Sequence, residues 1–169
     1  MCCSWYSHFI FLLFLNFSGS KTSQLLELLY RSGSKAKQFA EGGVVANDVD
    51  TSRANMLIHQ LQRISTAGMM VVNHHAQYFP TLKAEGEASL GDTNRFYFDK
   101  ILADVPCTGD GAIRKIPQKW AKWTPRDGIS LHGLQLQILM RAVQLAKVGG
   151  LILYSTCSIN PIEVKIFWE

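Results

Sequence analysis

At 169 residues, with 47% hydrophobic and 18% charged residues, the chain has an ordinary globular composition and room for one domain with a substantial core. A net charge of +4 permits an anionic partner without demanding one. Four cysteines, two of them adjacent at Cys2 and Cys3, make no disulfide framework in a chain this long, and without CxxC or Cys/His spacing they make no zinc site; a reducing compartment fits them.

Residues 1–18 stand apart from the rest. The run FIFLLFL at 9–15 is too short to span a bilayer and too apolar for an exposed arm. A secretory signal has such a segment, but residues 1–8 carry no Lys or Arg. The competing reading is a buried parallel strand, because the run leads directly into Ser18-Gly19-Ser20-Lys21-Thr22 and a helix; the strand is favoured.

Ser20 or Thr22 is expected to cap that helix, which runs to about Arg31 with Leu25, Leu28 and Leu29 on one face. A polar loop over 32–41 precedes a strand at 43–46 that ends at Asn47-Asp48. Asp50, Thr51 or Ser52 starts a second helix to about Ser65, with Ala54, Leu57, Leu61 and Ile64 facing inward. A strand at 69–72 ends at Asn73-His74-His75, and residues 77–98 read as an irregular, solvated excursion.

The stretch KILADVPCTGDGAIRK at 100–115 is the centre of the chain. Its apolar Ile101-Leu102-Ala103 runs into Asp104, and Val105-Pro106 stops the hydrogen-bonded ladder. This reads as a central parallel strand that delivers Asp104 and Cys107 to its C-terminal edge, where open α/β sheets bind their ligands. A loop over 108–123 follows, then a long helix from about Ile129 to Lys147 with Leu131, Leu134, Ile138, Ala142 and Leu145 inward, ended by Gly149-Gly150. A last apolar run, 149–155, delivers Thr156-Cys157-Ser158 and Asn160-Pro161, after which Pro161 can open another helix. Strands alternating with helices imply right-handed βαβ units and a doubly wound parallel sheet.

Singly, these residues mean little. A lone cysteine is more often a buried small hydrophobe than a catalyst, and Asp104 alone reads as a turn or cap residue. Gly19-Ser20-Lys21-Thr22 alone reads as a plain strand-to-helix turn, although glycine and free helix amides also suit a ligand, and it lacks the upstream glycine of a P-loop. Asp48 sits one βα unit on, where carboxylates hold a ribose hydroxyl pair; its bland role is a helix cap, which Asp50 or Thr51 can supply instead. Two cysteines at the rim of one sheet change these odds.

The phrases DVPCTGDGAIRK and LYSTCSINPIE resemble the two cysteine motifs of the Nop/Sun-type RNA (cytosine-5)-methyltransferases, and KWAKWTP with HGLQLQIL between them resembles the branch that acts on transfer RNA. The resemblance runs from about Gly19 to Glu163. It implies a Rossmann-like S-adenosylmethionine-dependent methyltransferase core, α/β with a parallel doubly wound sheet. Residues 19–169 are then a partial catalytic domain, incomplete at the C-terminus, behind an atypical segment at 1–18 that serves as a surrogate first strand. It further implies Cys157 as nucleophile, Cys107 as the residue that assists product release, and Asp104 near the reacting end. S-adenosylmethionine would lie against Gly19, Ser20, Lys21, Thr22, Asp48, His75 and Asp104. Two departures stand out. LFLNFS at 13–18 replaces the family's Asp-x-Cys-Ala-Ala-Pro, as though spliced on, and His75 replaces the acid on the adenine side.

Cytosine C5 is too weak a nucleophile to take a methyl group directly, and thiolate addition to C6 makes it enamine-like; Cys157 is the candidate for that covalent step. The base has to be unpaired or flipped from its stack. Arg114, Lys115, Lys119 and Lys122, interleaved with Trp120 and Trp123, are the expected RNA contacts, with core anchoring an equal reading for the tryptophans. The expected partner is RNA, chiefly tRNA, for a monomer with no metal and no membrane, placed in the nucleus or nucleolus by resemblance. An inactive fragment that keeps the fold and weak RNA affinity is the alternative, and a dithiol redox protein is a distant third.

Overall fold

A computed structural model of the chain describes residues 9–14, 19–32, 42–62, 68–83 and 95–164. In chain order, strand β1 (Phe9–Phe14) leads to helix α1 (Gly19–Ser32), β2 (Gly42–Asn47), α2 (Thr51–Leu61) and β3 (Met69–Val72). A 3₁₀ turn at Ala76–Tyr78 and a small ribbon, β4 (Leu82–Lys83) with β5 (Arg95–Phe96), precede β6 (Phe98–Asp104). A second 3₁₀ turn at Asp110–Ala112 follows, then α3 (Gln118–Lys122), α4 (Pro125–Leu145), β7 (Ala146–Ser155) and α5 (Pro161–Val164). Five strands form one sheet in the order β3-β2-β1-β6-β7, and every pairing in it is parallel. The chain therefore winds outward both ways from β1, as alternating strands and helices dictate.

The apolar run at the start of the chain is thus a strand at the centre of the sheet: Phe9–Phe14 pairs with β2 on one side and β6 on the other, and Leu12 is fully buried. Leu15 lies outside the described residues. A strand paired on both sides within a parallel sheet suits continuous hydrophobicity, which FIFLLF supplies.

Side chains alternate across the sheet and build two cores. On one face Val44, Ala46, Leu26 and Leu57 cluster, with Leu102 against them. On the other Leu12, Ile101 and Ala103 meet Ile138, Ala142 and Leu145 of α4. β7 follows the same alternation with a different result. Ile152 and Tyr154 pack toward α4, while Leu151 and Leu153 remain 62% and 60% exposed, because α1 and α2 cover only the other half of their face.

Several boundaries differ from the sequence reading, each for a local reason. Helix α1 already includes Gly19, so Ser20 and Thr22 lie in its first turn and do not precede it. Helix α2 is capped by Asp50, whose carboxylate accepts from the Ser52 and Arg53 amides. Ala54 and Leu57 are buried as expected, while the Leu61 side chain and Ile64 lie outside the described residues. Helix α4 begins at Pro125, four residues early, since proline suits the first helical position and Asp127 reaches back to accept from the Thr124 amide at 3.1 Å. Its end comes at Leu145, and Gly149-Gly150 belong instead to β7, where the register against Phe98–Lys100 slips. The expected excursion at 77–98 is not wholly solvated: Phe79 and Phe98 are buried and meet edge to face, with ring centroids 6.3 Å apart. Arg141 of α4 fixes this segment by donating to the Phe79 carbonyl.

If the leading run is structural, Leu12→Ala should lower the unfolding free energy by about 2–5 kcal/mol, the range for emptying a buried leucine site. Leu151→Ala, on the exposed face, should change it by no more than about 0.5 kcal/mol. Urea denaturation followed by circular dichroism reads both, and equal effects would remove β1 from the core.

Candidate active site

Parallel strands send all their C-terminal ends to one rim, and the chemistry-bearing residues collect there. Asp104 closes β6 opposite Ser155 of β7, so the loops that leave these two strands start side by side. Lys21, from the first turn of α1, ties them together: its Nζ lies 2.5 Å from Asp104 Oδ1 and donates to Ser155 Oγ at 3.2 Å. Asp104 itself is only 8% exposed.

Cys107 and Cys157 meet just beyond, with their sulfurs 3.1 Å apart, Cys107 half-buried and Cys157 exposed. Desolvation, reinforced by the hydrogen bond with Cys107 and by that neighbour's charge, pushes the Cys157 thiol up to about 11, while Lys119 and the local backbone pull it down. In this arrangement Cys157 is a protonated thiol at neutral pH. Activating it requires the sulfur pair to part or the balance to shift toward Lys119.

Two glycines make the close approach of the loops feasible. Gly109 adopts φ 67°, and a side chain there would strike the Lys119 ammonium and come within 3.5 Å of the Cys157 sulfur. Gly111 donates its amide to the Cys157 carbonyl at 3.0 Å, and a Cβ in its place would sit 2.7 Å from that oxygen.

Beneath the thiols lies a buried polar cluster. Glu163 of α5 is fully buried, and its two carboxylate oxygens are surrounded by donors. Oε2 accepts from the Thr108 amide at 3.0 Å and Gln135 Nε2 at 2.9 Å. Oε1 accepts from the Thr108 hydroxyl at 2.5 Å and the Ser158 hydroxyl at 2.8 Å. Burial pushes the Glu163 carboxyl up, yet these hydrogen bonds outweigh it and hold the group below the usual glutamate range. Burial also raises the neighbouring Tyr154 phenol, with the Glu163 and Cys107 charges adding to the effect. Gln135 and Glu163 were not singled out in the sequence. Gln135 has a signal there, being a polar residue at the spacing of the inward stripe of α4, three before Ile138 and seven before Ala142. Glu163 has none beyond its place in LYSTCSINPIE.

The remaining expected residues divide. Asp48 is buried at the end of β2, where its Oδ1 accepts from the Asp50 amide and from Arg53 Nη2, both at 2.9 Å. Neither bond uses Oδ2. His75 is exposed beyond β3 on the same rim, edge-on to Tyr78, and Asn47 links the two strand ends by donating to the His74 carbonyl at 3.0 Å. The Thr22 hydroxyl is buried without a partner among the described residues. A buried acid after β2, an imidazole after β3 and an unmatched hydroxyl at a helix start are a donor and acceptor set that fits a nucleoside-type ligand. The Ser20 side chain falls outside what the structure describes, though Gly19 and Ser20 both open α1.

Among the expected RNA contacts, Arg114, Lys115 and Lys122 are exposed on the segment beyond the Cys107 loop, and Trp120 among them is 77% exposed. Lys119 differs from these. It turns inward and donates to the Thr108 carbonyl at 2.8 Å, because the Gly109 turn leaves room for its ammonium. Trp123 is half-buried. No group of three or more metal-ligating side chains occurs among the described residues, nor does a described helix long and apolar enough to cross a membrane.

The family model described as 16S rRNA methyltransferase RsmB/F matches residues 15–167. The chain is 46% identical over 159 residues to the multisite-specific tRNA:(cytosine-C(5))-methyltransferase trm4b of Schizosaccharomyces pombe, covering 86% of this chain and 23% of that protein. It is 47% identical over 145 residues to the Saccharomyces cerevisiae multisite-specific tRNA:(cytosine-C(5))-methyltransferase, covering 86% and 20% respectively. The chain thus spans about a fifth of the length of the curated relatives it matches. Among solved structures it resembles NSun6 from Pyrococcus horikoshii with SFG, at a TM-score of 0.70 and 23% identity, over 92% of this chain and 34% of that one. A methyltransferase homolog protein from the same organism aligns at a TM-score of 0.65 and 28% identity, over 94% and 42%.

Two outcomes follow from the site's electrostatics. Cys107→Ala removes the hydrogen bond and the charge that raise Cys157, so the Cys157 value should fall and its alkylation by iodoacetamide at pH 8 should quicken severalfold, read by peptide mass spectrometry. No change would mean that desolvation alone sets it. Glu163, lowered in the folded state, contributes stability that is complete above the unfolded glutamate value and is lost as pH falls through the folded value. Thermal midpoints from pH 7 down to pH 3 should therefore drop less steeply for Glu163→Gln, which cannot titrate, than for the parent chain.

Proposed function

The chain belongs to the RsmB/F methyltransferase family, and from that membership we propose that it methylates C5 of cytosine in RNA, with tRNA as the substrate class, through a covalent cysteine–C6 adduct. The observation that carries this reading is the meeting of two thiols 3.1 Å apart at the strand ends beside Asp104. Two free cysteines at one rim suit a covalent mechanism in which one sulfur makes a bond that the other helps break.

S-adenosylmethionine, when bound, supplies an electrophilic methyl group. Asp48 would take its ribose hydroxyls through Oδ2, His75 its adenine amino group through a neutral ring nitrogen, and the start of α1 from Gly19 to Thr22 its amino-acid end. Cys157, exposed to solvent, gives up its proton to water and adds as the thiolate to C6 of the base. Lys119, which already lowers the Cys157 value, steadies the negative sulfur. Asp104, gripped at Oδ1 by Lys21, faces the N3 and exocyclic-amine edge of the cytosine. After transfer the C5 proton passes to solvent, its electrons re-form the C5–C6 double bond, and Cys157 departs as a thiolate that takes a proton from the Cys107 thiol, which solvent then restores.

Arg114, Lys115 and Lys122 would hold phosphates along the approach to this rim, and the exposed ring of Trp120 offers a face on which an unstacked base can lie. The 46% and 47% identities to the two yeast tRNA enzymes support tRNA over ribosomal RNA. One observation favours a second reading, a domain that binds RNA without transferring a methyl: the Cys157 sulfur rests against Cys107 at 3.1 Å and is not free toward a base.

Covalent trapping on tRNA carrying 5-azacytidine, with S-adenosylmethionine present, decides between them. The parent chain should give an RNA-shifted band on a denaturing gel, and its absence from a folded, RNA-binding chain selects the second reading. With unmodified tRNA the two cysteines should fail differently. Cys157→Ala forms no adduct and transfers no methyl, whereas Cys107→Ala attacks normally, releases slowly and accumulates on RNA. A shifted band for Cys157→Ala with none for Cys107→Ala would reverse their roles.

A further inference from the structure

The Glu163 carboxylate has no part in the steps above, yet it accepts four hydrogen bonds. It is an anion with no ion-pair partner among the described residues, held by four donors that come from three separate segments. Thr108 follows Cys107, Ser158 follows Cys157, and Gln135 projects from the middle of α4. The same Gln135 nitrogen donates to the Pro106 carbonyl at 2.9 Å, so the residues on both sides of Cys107 are fixed to one anchor. A buried carboxylate is costly unless every oxygen is satisfied, so an arrangement that satisfies both oxygens resists any shift of the donors around it.

We propose that Glu163 is a positioning residue that sets the separation of the two cysteine loops, clamping Thr108 and Ser158 against α4 so that Cys107 and Cys157 meet. The proposal rests on the reading that these two thiols act together, and it assigns to a residue six positions beyond Cys157 the control of their distance. Other links join the same loops, namely Gly111 to the Cys157 carbonyl and the Ile159 amide to Asp110 Oδ1, each at 3.0 Å. These tie loop to loop. Gln135 ties the Cys107 loop to α4 directly through Pro106, and among the described residues the carboxylate is the group that ties both loops to that helix.

The test measures thiol placement without asking for methyl transfer. In glutathione buffers, Cys107 and Cys157 each give up a proton and together pass two electrons to glutathione disulfide, forming one intramolecular disulfide and two molecules of glutathione. The equilibrium constant reports how well the fold presents the two sulfurs to each other. The full chain, Glu163→Ala, Glu163→Gln and Thr108→Val are equilibrated at a temperature where circular dichroism shows each to be folded, and the disulfide is quantified by mass spectrometry after alkylation. Glu163→Ala should lose about tenfold or more in the constant. Glu163→Gln should stay within about threefold, since its oxygen can accept from the Thr108 amide and Gln135 while its nitrogen donates to the two hydroxyls. Should Glu163→Ala not fold, Thr108→Val, which loses one hydroxyl donor and little volume, should still lower the constant severalfold.

A residue that mattered only for global stability would lower the melting temperature and leave the constant of the folded chain unmoved, and that result overturns the proposal. So does an equal loss in Glu163→Gln and Glu163→Ala. The outcome is independent of the azacytidine trap: a chain that fails to trap RNA but loses the constant on Glu163→Ala keeps the clamp and loses the methyltransferase reading.

Discussion

The parallel pairing of β6 with β7 is the constraint on which the rest of this molecule depends. Asp104 lies opposite Ser155 in that ladder, so the segments beyond them, DVPCTGDG and STCSINP, must leave the sheet as neighbours travelling in one direction. Antiparallel pairing would put the two cysteines at opposite ends of the domain. With the strands parallel, three residues past Asp104 and two past Ser155 suffice to bring the sulfurs to 3.1 Å. Lys21 then draws a third element to the same point, since α1 follows β1, the neighbour of β6 on its other side.

What holds this rim is of a different kind from what holds the sheet. The cores on the two faces are apolar and non-directional, and they tolerate other apolar side chains of similar volume. The rim is built of charge-assisted hydrogen bonds, Lys21 to Asp104, Arg53 to Asp48 and four donors to Glu163, each of which fixes direction as well as distance. The resting state they define is a guarded one. Each thiol has the other as its close partner at 3.1 Å, and burial, reinforced by that contact, raises the thiol of the nucleophile candidate.

The sequence made the sheet legible because each strand carries its own signal. Apolar runs bounded by turn residues located β1, β2, β3, β6 and the latter part of β7, and the strand-ending acids Asp48 and Asp104 marked the rim. Helix ends were harder to read, because capping competes with packing. Pro125 and Asp127 start α4 before its apolar stripe begins, and Gly149-Gly150 look like a helix stop while serving a strand bulge. The cysteine motifs were visible as motifs. Their support was not, since a buried carboxylate six residues beyond a cysteine, or one glutamine on a helix stripe, acquires meaning only when three distant segments converge on it. Lys119 shows the same limit: among neighbouring basic residues nothing in composition distinguishes the one that folds inward.

The central strand also bears on how such a chain can vary over time. β1 is bounded by β2 and β6 through backbone hydrogen bonds, which any non-proline residue can make, and its one described side chain, Leu12, asks only to be apolar. A slot with demands that generic suits many apolar sequences, FIFLLF among them, while the loops beyond the strand ends depend on particular donors and acceptors. The most interior strand is thus the part that should bear exchange of one apolar residue for another most readily, and the polar rim the part that should bear exchange least.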